Sequence, residues 1–197
     1  QPNDVVSVGV VGSIDYLVKG RSNDPGAVFD EELALCKPLQ KRVDGSEILH
    51  QVRVLKDFTY AAKQIAGDGW VLAGDAFGFI DPIYSTGVFL ALKSGELAAD
   101  SIIEGFEIND FSAAQLGKHG PEFMEGIDAL RKLVYAFYAP SFSIAEFLKQ
   151  FPEHQEDLVH LLIGNIYKHP VDGLLKAMDE YHKLPMYKPI GIDKPTG

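Results

Sequence analysis

Three kinds of hydrophobic spacing succeed one another along this chain. Val5, Val6, Val8, Val10 and Val11 make a β-branched run, broken by Gly9 and closed by Gly12, which predicts a strand buried on at least one face. Gly20 to Gly26 (GRSNDPG) is a turn-rich loop. Phe29, Leu33, Leu35 and Leu39 behind an acidic start predict a short helix ending near Pro38. Ile48 to Leu55 alternates as a strand does, Phe58 to Tyr60 continues the β-rich signal, and Gly69 to Ala73 (GWVLA) adds a short apolar run.

The period then becomes helical. From Thr86 to Phe106, residues Val88, Phe89, Leu90, Ala91, Leu92, Leu97, Ala98, Ala99, Ile102 and Ile103 leave no broad polar face. Such a helix is expected to be buried on most sides. Ala91, Gly95 and Ala98 give it a small-residue face suited to close approach to a sheet. Beyond Asn109 strand signals vanish, and amphipathic helices are predicted over 122–138, 153–167 and 172–182. Ser143, three residues before Glu146, predicts a capping box for a further helix to about Phe151. The tail KLPMYKPIGIDKPTG has three prolines and should be irregular. The fold class is α+β or α/β, with a β-rich region over 1–108, a helical region over 109–182 and a tail over 183–197.

Composition narrows the function. The 197 residues suffice for a packed core, and a net charge of -10 would repel polyanions, so nucleic acid and anionic membrane are not expected partners. No apolar run reaches the ~20 residues that span a bilayer, and QPNDVVSVGVVG lacks the basic and apolar parts of a signal peptide. A single cysteine, Cys36, excludes an intramolecular disulfide and fits a reducing, cytoplasmic setting. It has no adjacent histidine and reads as a packed thiol. The six histidines form no His-x-x-x-His or HExxH pair, so no metal site is expected. Phe123, Tyr135, Phe137, Tyr138, Phe142, Phe147 and Phe151 fit core packing better than a substrate pocket. Trp70 reads as packing too, and Glu153 to Asp157 as a solvated first turn.

The chemistry is concentrated in GDGWVLAGDAFGFIDPIYSTGVFLALKSG, residues 67–95. A carboxylate at the end of a short strand, Asp75, can accept hydrogen bonds from ligand hydroxyls. Gly74, Gly78 and Gly87 let backbone approach a planar ligand, and the helix start at Gly87 is an anion site. Taken singly, Gly-Asp and Asp-Pro are turn formers and Ser85 a helix cap. Two aspartates, a proline and three glycines within fourteen residues point instead to a ligand loop.

The stretch GDAFGFIDPIYSTGVFLA, 74–91, resembles the second FAD-binding motif of the glutathione-reductase-like flavoprotein monooxygenases. Within them it resembles the flavin-dependent halogenases, with their pattern G-D-A-x-G-F-x-D-P-x-x-S-x-G. The likeness extends through VVSVGVV, Asp57 to Tyr60 and GDGWVLAGD over roughly the first hundred residues. It implies FAD as cofactor, with Asp75 on a ribityl hydroxyl and Gly74, Asp81, Pro82, Ser85, Thr86, Gly87 and Val88 along the flavin. It further implies a halide or oxygen site at Thr86 and Gly87 and a substrate wall at Tyr84. Aromatic hydroxylases of the superfamily carry asparagine where Phe89 stands, geranylgeranyl reductases tend to have glycine at Ser85, and tryptophan halogenases have glutamate at Tyr84.

The chain thus resembles most the halogenase-like enzymes acting through a flavin hydroperoxide on phenolic, pyrrole or carrier-bound substrates. A geranylgeranyl-reductase-type flavin enzyme and a non-enzymatic helical binding module remain alternatives. Neither a G-x-G-x-x-G loop nor the halogenase lysine motif occurs, and no methionine stands first. These residues are therefore expected to be a C-terminal fragment, inactive alone, of an enzyme whose N-terminal FAD-binding portion lies elsewhere, with a separate reductase as a possible electron source.

Overall fold

The computed structural model describes residues 4–56 and 59–183, in two compact units, 1–57 and 58–197. The expected irregular tail from 184 onward, and Asp57 and Phe58, lie outside the described residues.

In the first unit, α1 (Ile14–Leu17) is capped by Ser13, whose hydroxyl accepts from the Tyr16 N–H. Asp24 caps α2 (Pro25–Leu35) by accepting from the Gly26 N–H at 3.0 Å. The helix predicted to end near Pro38 instead stops at Leu35, and Pro38 lies in the first turn of α3 (Lys37–Val43). Proline is tolerated there because a first-turn N–H has no intrahelical acceptor anyway. Arg21 bridges Glu31 and Glu32. None of residues 4–56 is buried, and Cys36 is exposed rather than packed.

The β-rich reading of the first half is not met. Val5–Val11 and Ile48–Leu55 carry no strand, because a β-branched run becomes one only when a neighbour takes up its ladder hydrogen bonds. Among the described residues the strands are four two-residue pieces. β1 (Tyr60–Ala61) pairs antiparallel with β4 (Gly78–Phe79), and β2 (Ala66–Gly67) with β3 (Trp70–Val71). The fold is mostly helical.

The central helix α4 runs from Gly87 to Ile108, ending at Asn109 in the left-handed region, where the sequence composition also changes. Leu90, Ser94, Leu97, Ser101 and Gly105 form its buried face. The opposite face is exposed, with Val88 at 74%, Leu92 at 70% and Phe106 at 73%, so burial on most sides does not hold among the described residues. A Cβ added at Gly95 would meet nothing within 4 Å; close approach occurs at Ala91 and Ser94 instead.

After α5 (Ala113–Leu116), helix α6 (Gly120–Tyr138) lays a nearly continuous apolar face into the core, which Leu130, Leu133, Phe147, Leu161, Leu174 and Met178 fill. One half of the expected capping box forms at the N-terminus of α7 (Ile144–Gln150), where the Ser143 hydroxyl accepts from the Glu146 N–H at 3.3 Å, while the Glu146 carboxylate accepts from Lys149 at 2.7 Å. The helix predicted over 153–167 is divided into a 3-10 turn at Pro152–His154, α8 (Gln155–Leu162) and a second 3-10 turn at Asn165–Tyr167. The interruption is Gly164, at φ 77°, where a side chain would collide with the Phe89 ring. α9 (Asp172–Tyr181) closes the core, and Lys132 ties it to α6 by donating to Asp179 at 2.6 Å and to the Leu175 carbonyl at 2.7 Å.

Asp157 links both ends of this region, accepting from His154 at 2.7 Å and His169 at 2.8 Å. Those two hydrogen bonds, His154 first, hold its carboxyl below the usual range. A lowered folded-state value contributes stability above the unfolded value of about 3.9 and loses it as pH falls through the folded one. Asp157→Asn should therefore cost about 1 kcal/mol at pH 7. The gap to the parent should begin to close below about pH 4 and vanish only beneath the lower folded-state value, which urea unfolding at pH 7 and through that acid range will measure.

Candidate flavin site

The hairpin β2–β3 leads directly into the glycine- and aspartate-rich segment. Its turn is anchored by Asp68, which accepts from the Ala113 N–H at 2.9 Å, and by the Gly69 N–H, which donates to the Phe111 carbonyl at 2.9 Å. The chain then enters a 3-10 turn at Gly74–Ala76. Gly74 has φ 57°, a left-handed backbone that glycine adopts without strain, and a Cβ there would come into contact with the Ala91 Cβ of α4 at 3.4 Å. Its N–H donates to Ser94 Oγ at 2.8 Å, and Ser94 Oγ donates to the Ala91 carbonyl at 3.0 Å.

Asp75 projects an exposed carboxylate from this turn, with no hydrogen bond to it among the described residues. The Asp75 carbonyl is engaged, accepting from the Tyr60 hydroxyl at 2.7 Å. β1 thus clamps the far side of the motif, helped by the Ala62 N–H, which donates to the Phe77 carbonyl at 2.8 Å.

Asp81 and Ser85 are spent on local structure. Asp81 caps the 3-10 turn Pro82–Tyr84 by accepting from the Ile83 N–H at 3.0 Å, and both its oxygens lie 3.2 Å from the Tyr138 hydroxyl. Ser85 closes that turn in the left-handed region, φ 55°, with its N–H on the Pro82 carbonyl at 2.8 Å. It does not cap α4, whose N-cap is Thr86, and its N–H is not offered to an anion, because the tight turn before it consumes that donor.

Thr86 and Gly87 differ. Thr86 stands at the N-cap of α4, 5% exposed, and its buried hydroxyl has no partner among the described residues. The first bond of the helix is from the Leu90 N–H to the Thr86 carbonyl, at 3.0 Å. The N–H groups of Gly87, Val88 and Phe89 precede it and have no intrahelical acceptor. Open space faces Gly87, where an added Cβ would meet nothing within 4 Å. A 22-residue helix thus presents free donors and an orphan hydroxyl at its positive end, an arrangement suited to a polar, electron-rich edge.

Tyr84 is half-buried, its ring edge-on to Phe137 at 6.0 Å, and its hydroxyl is buried without a partner among the described residues. Burial, and then the neighbouring Tyr138, push this phenol up to about 12, so it is a neutral donor at ordinary pH. Pro82 and the Val88 side chain are exposed. The aromatic residues expected in the core divide. Phe123 and Phe147 are buried, Tyr135, Phe142 and Phe151 pack against the core, while Phe137 and Tyr138 are half exposed beside the Asp81–Tyr84 turn. The sequence pattern does not mark Tyr60, Ser94 or Tyr138 as site residues. Ser94 carries a signal as a polar residue on the buried stripe of α4, Tyr138 as one of the aromatics weighed between core and pocket, and Tyr60 as the end of the Asp57–Tyr60 stretch within the resemblance.

The elements fit a bound flavin: an unpaired carboxylate on a turn held at both ends, an unpartnered buried hydroxyl, and a clear approach to a helix N-terminus. Among the described residues no group of His, Cys, Asp and Glu is placed to hold a metal ion, and no helix is long and apolar enough to cross a membrane.

No family model matches the chain. It is 35% identical over 127 residues to a 1H-pyrrole-2-carbonyl-[peptidyl-carrier protein] chlorinase from Pseudomonas fluorescens, which covers 63% of this chain and 28% of that protein. It is 33% identical over 108 residues to a corresponding brominase from Pseudoalteromonas luteoviolacea, covering 55% and 27%, and 33% identical over 102 residues to a tryptophan 2-halogenase from Chondromyces crocatus, covering 51% and 20%. The chain therefore spans about a quarter of the length of the curated relatives it matches. The fold is similar to that of a flavoprotein/dehydrogenase from Cytophaga hutchinsonii, with TM-score 0.59 and 22% identity over 86% of this chain and 44% of that one. These relatives are flavin-dependent halogenases and a flavoprotein.

Proposed function

We propose that this chain supplies part of the flavin site and the helical C-terminal region of a FAD-dependent, halogenase-like monooxygenase. In this reading residues 1–108 belong with the flavin-binding portion and 109–182 form the helical region, working in the cytoplasm with the rest of the enzyme and an electron source. The observation that carries it is the unpartnered Thr86 hydroxyl beside free N–H groups and open space at the start of α4.

Bound FAD, once reduced, supplies the electrons that activate O₂ for oxidation of halide or of the acceptor itself. The chain's own residues bind and orient. Asp75 accepts from a ribityl hydroxyl, and charge-assisted contacts of that kind are among the stronger hydrogen bonds. The Thr86 hydroxyl and the N–H groups of Gly87 and Val88 donate to the electron-rich edge of the ring or to a halide next to it. Tyr84 provides an aromatic wall with a neutral hydroxyl. A carboxylate at that position would stabilise positive charge developing on an indole; a phenol suits a phenolic, pyrrole or carrier-bound acceptor better. The pyrrole-carrier halogenases among the relatives support this class, while the tryptophan 2-halogenase is the competing choice.

The test is turnover by the intact enzyme with reduced FAD, O₂ and bromide, offering tryptophan, simple phenols and a carrier-bound pyrrole. Brominated phenol or pyrrole is expected. Brominated tryptophan as the main product would overturn the reading of Tyr84, and hydroxylated products without bromide would move the enzyme to the hydroxylating class. A second result concerns Thr86→Val, which removes the hydroxyl while keeping the shape. Without ligand the variant should be as stable as the parent or up to about 1 kcal/mol more stable, since a buried, unmade hydrogen bond is lost. FAD or halide affinity should fall by about three- to tenfold. Equilibrium unfolding and flavin titration of the same preparations separate the two effects.

A further inference from the structure

The turn that carries Asp75 is held from two directions by side chains distant in sequence. On the α4 side, the Gly74 N–H donates to Ser94 Oγ. On the other side, the Tyr60 hydroxyl donates to the Asp75 carbonyl at 2.7 Å, although Tyr60 is 51% exposed and its ring lies stacked on Phe79 at 6.5 Å. The backbone around it adds the β1–β4 pairing, Tyr60 opposite Phe79 and Ala61 opposite Gly78. The carbonyl oxygen and the side chain of one residue are separated by the ψ torsion, which the 3-10 turn at Gly74–Ala76 restrains. Holding the Asp75 carbonyl therefore restricts the direction in which its Cα–Cβ bond leaves the turn. The carboxylate itself has no hydrogen-bond partner among the described residues, so nothing else there aims it.

We propose that Tyr60 is a positioning residue that acts through Asp75, presetting its carboxylate for the ligand hydroxyl it accepts from. The inference rests on the flavin reading of Asp75. An exposed tyrosine gains little from burial, and this ring already packs on Phe79, so the hydroxyl's contact with a main-chain oxygen is a separate contribution. Preorganisation of this kind raises affinity by removing the ordering cost at the moment of binding.

The experiment is a double-mutant cycle in the intact flavoprotein, with FAD binding followed by flavin fluorescence. Tyr60→Phe keeps the stacked ring and removes only the hydroxyl, so the fold is retained, and apo-protein melting is recorded alongside. The FAD dissociation constant is expected to rise about three- to tenfold in Tyr60→Phe. It should not rise further when the same change is made in an Asp75→Ala background. An equal rise in both backgrounds would show that Tyr60 acts independently of Asp75 and overturn the proposal, as would an unchanged constant in Tyr60→Phe alone. If Asp75→Ala by itself leaves FAD affinity unaltered, the flavin reading of the carboxylate falls first and the proposal with it. An equal rise in both backgrounds, by contrast, leaves that reading standing.

Discussion

Phe147→Ala is expected to destabilise the 58–197 unit by about 3–5 kcal/mol, at the upper end of what truncating one core side chain costs. Phe147 is 1% exposed and sits among other aromatic rings. It stacks on Phe142 at 5.9 Å and Phe151 at 5.3 Å and meets the edge of Tyr181 at 5.6 Å. Removal leaves a cavity bounded by those rings, which cannot collapse without giving up their own stacking. Against a total of about 5–15 kcal/mol for a typical domain, this loss approaches global unfolding. Urea denaturation monitored by far-UV circular dichroism should show a midpoint shift at constant slope. Phe147→Leu, which retains most of the volume, should recover more than half of the loss.

The second expected result is functional. Asp75→Ala in the intact enzyme should lower FAD affinity tenfold or more, corresponding to the roughly 1.5–3 kcal/mol of a hydrogen bond to a charged group. The fold should survive, because the carboxylate is exposed and the turn is held through the Asp75 carbonyl and the Gly74 N–H, neither of which the substitution removes. Flavin content of the purified variant and its melting temperature decide the matter together. A folded protein with parental flavin occupancy would return Gly74-Asp75 to the role of an ordinary turn.

What the pattern of residues reveals, and what it hides, divides along the range of the forces involved. Helices α6, α7 and α9 are legible because their signals are local: an apolar stripe at helical period, and the Ser143–Glu146 cap formed within one turn. The turns between Gly74 and Gly87 are legible because their glycines and aspartates solve a local backbone problem, while their part in holding a ligand is the proposal that the flavin titrations test. The valine run at 5–11 misleads, since strand propensity says nothing about whether a pairing edge is at hand. The division of the helix expected over 153–167 falls at Gly164, a local stop signal that the continuous apolar pattern on either side of it masks. Tyr60 and Asp75 are brought together only by the β1–β4 pairing. Ser85 is the subtler miss. It is well suited to cap the following helix, yet the turn Pro82–Tyr84 claims its N–H and bends it into the left-handed region first, leaving Thr86 to stand at the helix start.

The bare face of α4 has a consequence for how the chain behaves in solution. Val88, Leu92, Ile103 and Phe106 recur at helical spacing along one side and are all more than half exposed. Such a stripe attracts its own kind, while a net charge of -10 keeps molecules apart. The two influences differ in their dependence on salt, because added ions shorten the reach of the repulsion to about 3 Å at 1 M and leave the apolar attraction intact or stronger. Colloidal behaviour should therefore run opposite to that of a protein held together by ion pairs: monodisperse in dilute buffer, and progressively clustered as sulfate or chloride is raised.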